Sequence, residues 1–234
     1  MIYVTSDLHG ISPEKLKALL DKAGFSDNDF LFVLGDVIDR GEHGAELLRW
    51  LSLCPNAELL LGNHEAMMLS CGFLFEEITE DSLSNLSGDN IALLTNWLSN
   101  GGNNTLKALR ELHKTSPETV TGILDYLKEA PVLETVSVGV NSFLLTHSGI
   151  DNFSPNKKLT EYAEEDFLWA RPTPQTRYFD DIITVFGHTP TLFFDPAYRG
   201  KAFRTDTWIC VDTGVTAGFS PCLLCLDTLK EYYL

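Results

Sequence analysis

The sequence Phe-Leu-Phe-Val-Leu-Gly-Asp-Val-Ile-Asp-Arg-Gly at residues 30–41 joins an apolar run to a group of polar residues. The apolar part, 30–34, has the length and composition of a buried β-strand. The polar part begins where such a strand would end. Because ligands of open α/β sheets bind at the carboxyl ends of the strands, this stretch predicts a buried strand that ends in a binding site.

Strands and helices alternate on both sides of this stretch. Residues 2–5 predict a strand before it. A helix then begins with Ser12 as N-cap and Pro13 as first residue, and it ends at Gly24 as C-cap. The elements expected after the stretch are a helix at 45–53, a strand at 58–61 and a helix at 65–69. This β-α-β-α-β order predicts a mostly parallel sheet that is covered by helices.

The remainder of the chain divides into a helical part and a second group of strands. Residues from about 72 to 130 predict a helical insertion over one edge of the sheet, broken into two arms by Gly-Gly-Asn-Asn at 101–104. Further strands are predicted at 132–138, 142–146, 182–186, 208–212 and 222–227. Their close spacing favours some antiparallel pairs. No linker or repeat interrupts the chain, so we expect one domain over residues 1–234.

Composition excludes several classes of partner. The 234 residues include 33 acidic and 17 basic side chains, for a formal charge of -16. A surface of this sign is unsuited to nucleic acid or to an anionic membrane. The sequence has no pattern of a signal peptide and no apolar run of 18 residues, so we expect a cytoplasmic location. The oligomeric state is not encoded in any pattern that we recognise.

The five cysteines are expected to be free thiols. Cys222 and Cys225 form a C-x-x-C pair, which is typical of zinc or redox sites when both thiols face the same way. Here the pair lies in a predicted strand, where residues three apart point to opposite faces. We therefore interpret both as core residues.

Five short segments follow predicted strands and carry polar residues. They are Ser-Asp-Leu-His-Gly at 6–10, Gly-Asp-Val-Ile-Asp-Arg-Gly at 35–41, Gly-Asn-His-Glu at 62–65, Thr-His-Ser-Gly at 146–149 and Phe-Gly-His-Thr-Pro at 186–190. Four of the six histidines of the chain lie in them, which independent core histidines would not be expected to do. Carboxylates and imidazoles suit divalent Mn, Fe, Zn and Co. The segments therefore predict a metal site at one edge of the sheet.

The ordered set D-x-H-G, G-D-x-x-D-R-G, G-N-H-E, a histidine after a strand, and G-H-T resembles the calcineurin-like metallophosphoesterases. Within them it is most similar to the phosphoprotein phosphatase group, and above all to bacterial and phage serine/threonine phosphatases. Leu-Trp-Ala-Arg at 168–171 and Val-Asp-Thr-Gly at 211–214 extend the resemblance. It implies an α/β fold in which two mixed sheets form a sandwich flanked by helices, in four layers.

The resemblance also implies a role for each site residue. Asp7 and His9 would bind the first of two divalent metal ions, and Asp36 would bridge both ions. Three further ligands would complete the second site, namely Asn63, His147 and His188. Manganese is favoured, although iron, zinc or cobalt would also suit these residues.

Four residues would act on the substrate or on one another instead of on the metals. His64 would be a general acid, oriented by Asp39, and Arg40 and Arg171 would hold the substrate phosphate. The implied reaction is hydrolysis of a phosphate monoester by direct attack of a metal-bridging hydroxide, with a phosphoprotein or a small ester as substrate.

Leu61 departs from the family pattern, because many relatives have an arginine immediately before G-N-H-E. Leucine at this place also occurs in the related diadenosine tetraphosphatases, so a dinucleoside polyphosphate hydrolase is the alternative enzyme. A non-catalytic scaffold that binds phosphoproteins is an alternative of another class. Because the expected ligands and the acid are all present, the scaffold is the least favoured of the three.

Five residues outside these roles carry smaller predictions. Trp97, Trp169 and Trp208 are expected in the core. His113 is expected at the surface of a helical arm. Asp212, in Val-Asp-Thr-Gly, either supports the site or forms a turn with the residues that follow it, and the sequence leaves both open.

Overall fold

The computed structural model describes residues 1–75 and 87–234 of the chain. The strands within these ranges are β1 (Ile2–Thr5), β2 (Phe30–Val33), β3 (Ala57–Leu59), β4 (Leu133–Val138), β5 (Asn141–Thr146), β6 (Ile183–Phe186), β7 (Phe203–Arg204), β8 (Trp208–Cys210), β9 (Leu223–Cys225) and β10 (Glu231–Tyr232). The α-helices are α1 (Pro13–Ala23), α2 (Gly44–Ser52), α3 (Asn63–Leu69), α4 (Gly88–Ser99), α5 (Asn103–Thr115), α6 (Pro117–Lys128) and α7 (Glu165–Leu168). Short 3₁₀ turns connect several of them.

The described strands form two five-stranded sheets, and both sheets are mixed. The first has the order β10-β9-β1-β2-β3, with β1, β2 and β3 parallel and β9 and β10 antiparallel to their neighbours. The second has the order β4-β5-β6-β8-β7, with a parallel centre from β5 to β8 and antiparallel strands at both edges. The expected α/β sandwich of mixed sheets is therefore confirmed.

Three apolar clusters show how the layers pack. One lies between the two sheets and joins Phe32 of the first to Phe143 and Val185 of the second. Another lies between the first sheet and its helices, and the insertion helices bury Trp97 in it. The third covers the outer face of the second sheet around Trp208. The site is thus carried by strands that are buried on both faces.

The capping residues of α1 lie where the sequence predicts them. The Ser12 hydroxyl accepts a hydrogen bond from the backbone N–H of Lys15 at 3.3 Å. Pro13 occupies the first turn, and Gly24 ends the helix with φ +76°. Glycine adopts a left-handed conformation at little cost in free energy, so Gly24 ends α1 at this position.

Two features of the second half differ from the sequence prediction. The insertion contains three described helices instead of two arms, because the chain breaks a second time at Ser116 and restarts with Pro117 in the first turn of α6. Strands β7 and β10, each two residues long, were too short to leave a pattern. The part of the predicted insertion at 76–86 lies outside the described residues.

The cysteine prediction is confirmed. All five are free, and Cys222 and Cys225 point into different apolar clusters on opposite faces of the first sheet. Among the residues that the structure describes, no helix is both long and apolar enough to cross a lipid bilayer.

Candidate functional site

Five loops meet where strands of both sheets end. Main-chain hydrogen bonds hold the loops together, for example from His9 N–H to the Asp36 carbonyl at 2.9 Å and from Gly187 N–H to the His147 carbonyl at 2.8 Å. All ten site residues predicted from the sequence lie here, eight of them buried and the two arginines exposed at the rim. The buried ones are Asp7, His9, Asp36, Asp39, Asn63, His64, His147 and His188.

Backbone strain concentrates in these loops. Eight described residues other than glycine have positive φ, and six of them are predicted site residues. Those six are Asp7, His9, Asp36, Asp39, Arg40 and His188, with φ between 41° and 68°. A left-handed conformation is unfavourable for a side chain with a Cβ, so the surrounding hydrogen bonds must impose it.

Glu65 supplies much of that constraint. Its buried carboxylate accepts backbone N–H bonds from Asp36 at 2.8 Å, Val37 at 2.9 Å, Ile38 at 3.2 Å and Gly62 at 3.1 Å. One side chain therefore holds the loop after β2 against the start of α3. The sequence analysis used Glu65 only as part of a motif. The spacing from Gly62 to Glu65 is that of a capping box, which could have revealed this role.

Two glycines let these loops approach one another. A Cβ on Gly62 would meet both the Asp36 and the Glu65 carboxylates, and a Cβ on Gly187 would meet the Asp7 carboxylate. Any larger residue at these two positions would push carboxylates out of place.

Asp36 lies between two groups of donor atoms. Its Oδ2 is 3.7 Å from His9 Nε2, and its Oδ1 is 3.5 Å from His147 Nε2. The first group also includes Asp7, whose Oδ1 is 4.0 Å from His9 Nε2. A carboxylate that presents one oxygen to each group is suited to bridging two cations.

The donor atoms of the second group lie closer together than those of the first. His147 Nε2 lies 2.8 Å from Asn63 Oδ1 and 3.1 Å from His188 Nδ1, and the last two atoms are 2.9 Å apart. The other nitrogen of His147, Nδ1, is 2.7 Å from the Leu34 carbonyl and so carries the proton. Nε2 therefore directs a lone pair toward the Asn63 oxygen.

This donor set fits a divalent cation. Two ligand atoms that are each about 2.1 Å from one ion lie about 3 Å apart, close to the spacings in the second group. Burial lowers the pKa of His9 well below its usual value. Burial is also the main reason that the pKa of His188 falls to about 2, so both imidazoles are neutral. Neutral imidazole is the form that binds metals. Burial also raises the pKa of Asp36, a cost that a nearby cation would offset.

His64 differs from the other histidines of the site. Its Nε2 is within reach of a group formed with His9 and Asp36, so position alone would allow it to be a ligand. Its Nδ1, however, lies 2.7 Å from Asp39 Oδ2. Burial lowers the pKa of His64, but Asp36 and Asp39 outweigh burial and raise it above the usual value. A protonated imidazole has no lone pair for a metal, so this geometry favours a proton donor.

The helical insertion holds Asp39 from the other side. Trp97 Nε1 donates to Asp39 Oδ2 at 2.9 Å, which gives this oxygen two donors. The Asp39 N–H donates to Thr105 Oγ1 at 2.9 Å, and the Arg40 N–H donates to the Gly101 carbonyl at 3.0 Å. Trp97 is in the core as predicted, but its polar contact with the site was missed. Because the partners are 58 to 66 residues apart in sequence, no local pattern reports them.

The two arginines face a cavity of about 300 Å³ above the donor groups. Arg40 lies 3.0 Å from His9 Nε2 and 3.2 Å from His64 Nε2 through its two terminal nitrogens. Arg171 donates to Thr189 Oγ1 at 3.3 Å. A cation bound to His9 Nε2 would compete for the lone pair that Arg40 now contacts.

Two of the sequence predictions for tryptophan and histidine were wrong. Trp169 is 43% exposed and lines the cavity, because α7 ends at Leu168 and the next side chain points outward. His113 is half-buried beside Phe75 instead of lying at the surface. Trp208 is buried as predicted.

Asp212 forms the turn that the sequence left as one of two alternatives. Its Oδ1 accepts the Gly214 N–H at 2.9 Å. The residue is 3% exposed and also lines the cavity of about 300 Å³.

Comparison with known families and proteins gives a consistent result. The family model described as calcineurin-like phosphoesterase matches residues 1–219. A symmetrical bis(5'-nucleosyl)-tetraphosphatase of Buchnera aphidicola is 35% identical over 104 residues, which are 42% of this chain and 37% of that protein. Its counterpart in Actinobacillus succinogenes is 36% identical over 100 residues, which are 41% and 36% of the two chains. These matches thus span little more than a third of each relative.

Solved structures show the same fold at low sequence identity. A candidate diadenosine tetraphosphatase superposes with a TM-score of 0.63 at 16% identity, covering 100% of this chain and 92% of the other. A protein serine/threonine phosphatase from Saccharomyces cerevisiae, similar to human phosphatase PP5, gives 0.59 at 13% identity, covering 100% and 79%.

Proposed function

The chain belongs to the calcineurin-like phosphoesterase family, and from that premise we propose that it is a metal-dependent hydrolase of dinucleoside polyphosphates. The observation that carries the hydrolase part is the position of Asp36 between two groups of donor atoms, beside a histidine that is paired with its own carboxylate. The choice of substrate is supported by the named relatives and by Leu61, because leucine at this place resembles the diadenosine tetraphosphatases whereas many phosphatases of the family have an arginine there.

The proposed metal ligands are Asp7, His9, Asp36, Asn63, His147 and His188. Two bound divalent cations would supply positive charge that stabilises the phosphoryl oxygens and lowers the pKa of water. The structure leaves their identity open, since manganese, iron, zinc and cobalt all suit nitrogen and oxygen donors.

The remaining side chains have distinct proposed tasks. Arg40 and Arg171 face the cavity with donors that match phosphate oxygens, and they would orient the substrate. His64 would give its proton to the leaving oxygen, and Asp39 would keep the imidazole protonated and oriented. The buried position of this pair excludes bulk water from the proton.

A substrate comparison on metal-defined protein tests the proposal. Diadenosine tetraphosphate should be cleaved with a higher kcat/KM than a phosphoserine or phosphothreonine peptide. Symmetrical cleavage would give two molecules of ADP, whereas asymmetric cleavage would give AMP and ATP, and chromatography separates these products. A preference for phosphopeptides would contradict the proposal, and the products show which phosphoanhydride bond is cleaved.

A serine/threonine phosphatase or a small-ester phosphatase is the second candidate. One observation favours it, namely the strongly polarised pair of His64 and Asp39. An alkoxide leaving group needs a proton more than a nucleotide does, so such an acid is most useful for phosphoserine or phosphothreonine. The same substrate comparison decides between the two. The presence of this pair with every expected donor argues against a non-catalytic scaffold.

A further inference from the structure

A second cavity adjoins the catalytic one and shares Trp169 with it. It measures about 390 Å³, within the range of small-molecule sites. Its apolar lining includes Leu61, Met67, Leu93 and Leu168. No role in metal binding or proton transfer has been assigned to these four residues. The cavity is therefore separate from the proposed metal site and from the acid pair.

Trp169 is the feature that links the cavities. Its indole is 43% exposed, and the ring lies edge-on to the His188 imidazole, with centroids 6.0 Å apart. A large aromatic side chain that is exposed beside a concave apolar surface commonly contacts a ligand. Because His188 is a proposed metal ligand, whatever stacks on Trp169 would be close to the phosphate that the metals hold.

We propose that the cavity bounded by Leu61 and Trp169 is a subsite for the nucleobase of a nucleotide substrate. The base would stack on the indole, and Leu61 would form part of an apolar floor beneath it. This inference rests on the proposed function, since only a nucleotide substrate carries a base that is joined through its ribose to the phosphate chain.

The distribution of charge orients such a ligand. Glu164 and Glu165, both exposed, line the second cavity, whereas Arg40 and Arg171 line the catalytic one. Carboxylates repel phosphate but accept hydrogen bonds from the exocyclic amino group of adenine. A polyphosphate would therefore lie on the arginine side, and an adenine base on the glutamate side.

Leu61 also favours a nucleobase over a phosphate in the second cavity. It is 7% exposed and lines the second cavity, immediately before the Gly-Asn-His-Glu loop. An arginine here would bring a charged group to the apolar floor and a second phosphate donor to the rim. Leucine instead leaves a surface that suits the flat face of a base.

Calorimetric titration with ADP and with inorganic pyrophosphate tests the subsite without any turnover. Both ligands carry two phosphates, and only ADP carries a base. Stacking is worth about 1–3 kcal/mol per base, which corresponds to a difference of roughly 5- to 150-fold in Kd between ADP and pyrophosphate. In Trp169→Ala the affinity for ADP should fall toward that for pyrophosphate, while pyrophosphate binding stays unchanged. Trp169→Phe should retain most of the difference.

Tyr198→Ala is the matched control, since Tyr198 is an exposed aromatic residue that lines neither cavity. It should leave the ratio of the two affinities unchanged. Equal binding of ADP and pyrophosphate by the wild-type protein, or an unchanged ratio in Trp169→Ala, would overturn the subsite. Absence of diadenosine tetraphosphate cleavage together with base-dependent binding would overturn the proposed function and leave the subsite standing.

Discussion

The two sides of the candidate site are built in different ways. On the metal side, the donors follow strand ends, and main-chain bonds and the Glu65 carboxylate fix their loops. On the acid side, His64 depends on Asp39, and Asp39 depends on Trp97 and Thr105 of the helical insertion. The loops of the two sheets therefore position the donors of the metal side. The acid side depends in addition on contacts with the insertion helices.

This difference predicts that substitutions on the two sides have different effects on metal content and turnover. A change on the metal side should remove ions and activity together. A change on the acid side should reduce turnover while the ions stay bound, because Trp97 and Thr105 hydrogen-bond to Asp39 and to none of the proposed metal ligands. The following variants test that separation.

Asp36→Asn should have the largest effect. It keeps the size of the side chain but removes the charge that faces both donor groups, so metal content should fall and turnover should drop roughly 10³-fold or more. Elemental analysis with activity assays measures both. Asp206→Asn, at a carboxylate that is 88% exposed, is the control and should change neither. Retention of two ions with high activity in Asp36→Asn would contradict the assignment.

Asp39→Asn should lower kcat by roughly 10- to 100-fold with no loss of metal. Asp39 helps to raise the pKa of His64, so its neutral replacement lowers that pKa. Because a general acid works in its protonated form, the alkaline limb of the kcat profile should move to lower pH. The loss should be larger for phosphoserine than for nitrophenyl phosphate, whose leaving group needs less help. Equal losses for both substrates would show that Asp39 does not act through the acid.

Trp97→Phe should have a smaller effect of the same kind, about 10-fold on kcat with KM unchanged. It removes the N–H that reaches Asp39 Oδ2 but keeps an aromatic ring in the core. Trp50→Phe is a matched control, because Trp50 packs against the same apolar cluster without contacting the site. A change in KM alone, or an equal loss in both variants, would limit Trp97 to a packing role.

The comparison also shows which features could be read from the sequence. The segments that carry the proposed donors follow apolar runs, and their ordered motifs resemble the family pattern, so the sequence predicts all six. The sheets could be predicted for the same reason, since each long strand is a local apolar run. Parallel strands then bring the donors together without any further information.

The supports of the acid were not predictable in this way. Trp97 has the same apolar neighbours that any core tryptophan would have, and its bond to Asp39 spans 58 residues. Trp169 was wrongly placed in the core, because the end of a four-residue helix decides the direction of its side chain. Contacts of this kind depend on tertiary packing and leave no periodic signal.

The metal content and turnover of His64→Asn test the central claim most directly. Two divalent ions per chain should remain bound, because the proposed task of His64, whose Nδ1 is held by Asp39, is proton donation instead of metal binding. Turnover of diadenosine tetraphosphate, the proposed substrate, should nevertheless fall by roughly 10²-fold or more. Loss of an ion from this variant would make His64 a ligand, and undiminished turnover would remove its role as the acid. Either result would contradict the division of the site into a metal side and an acid side.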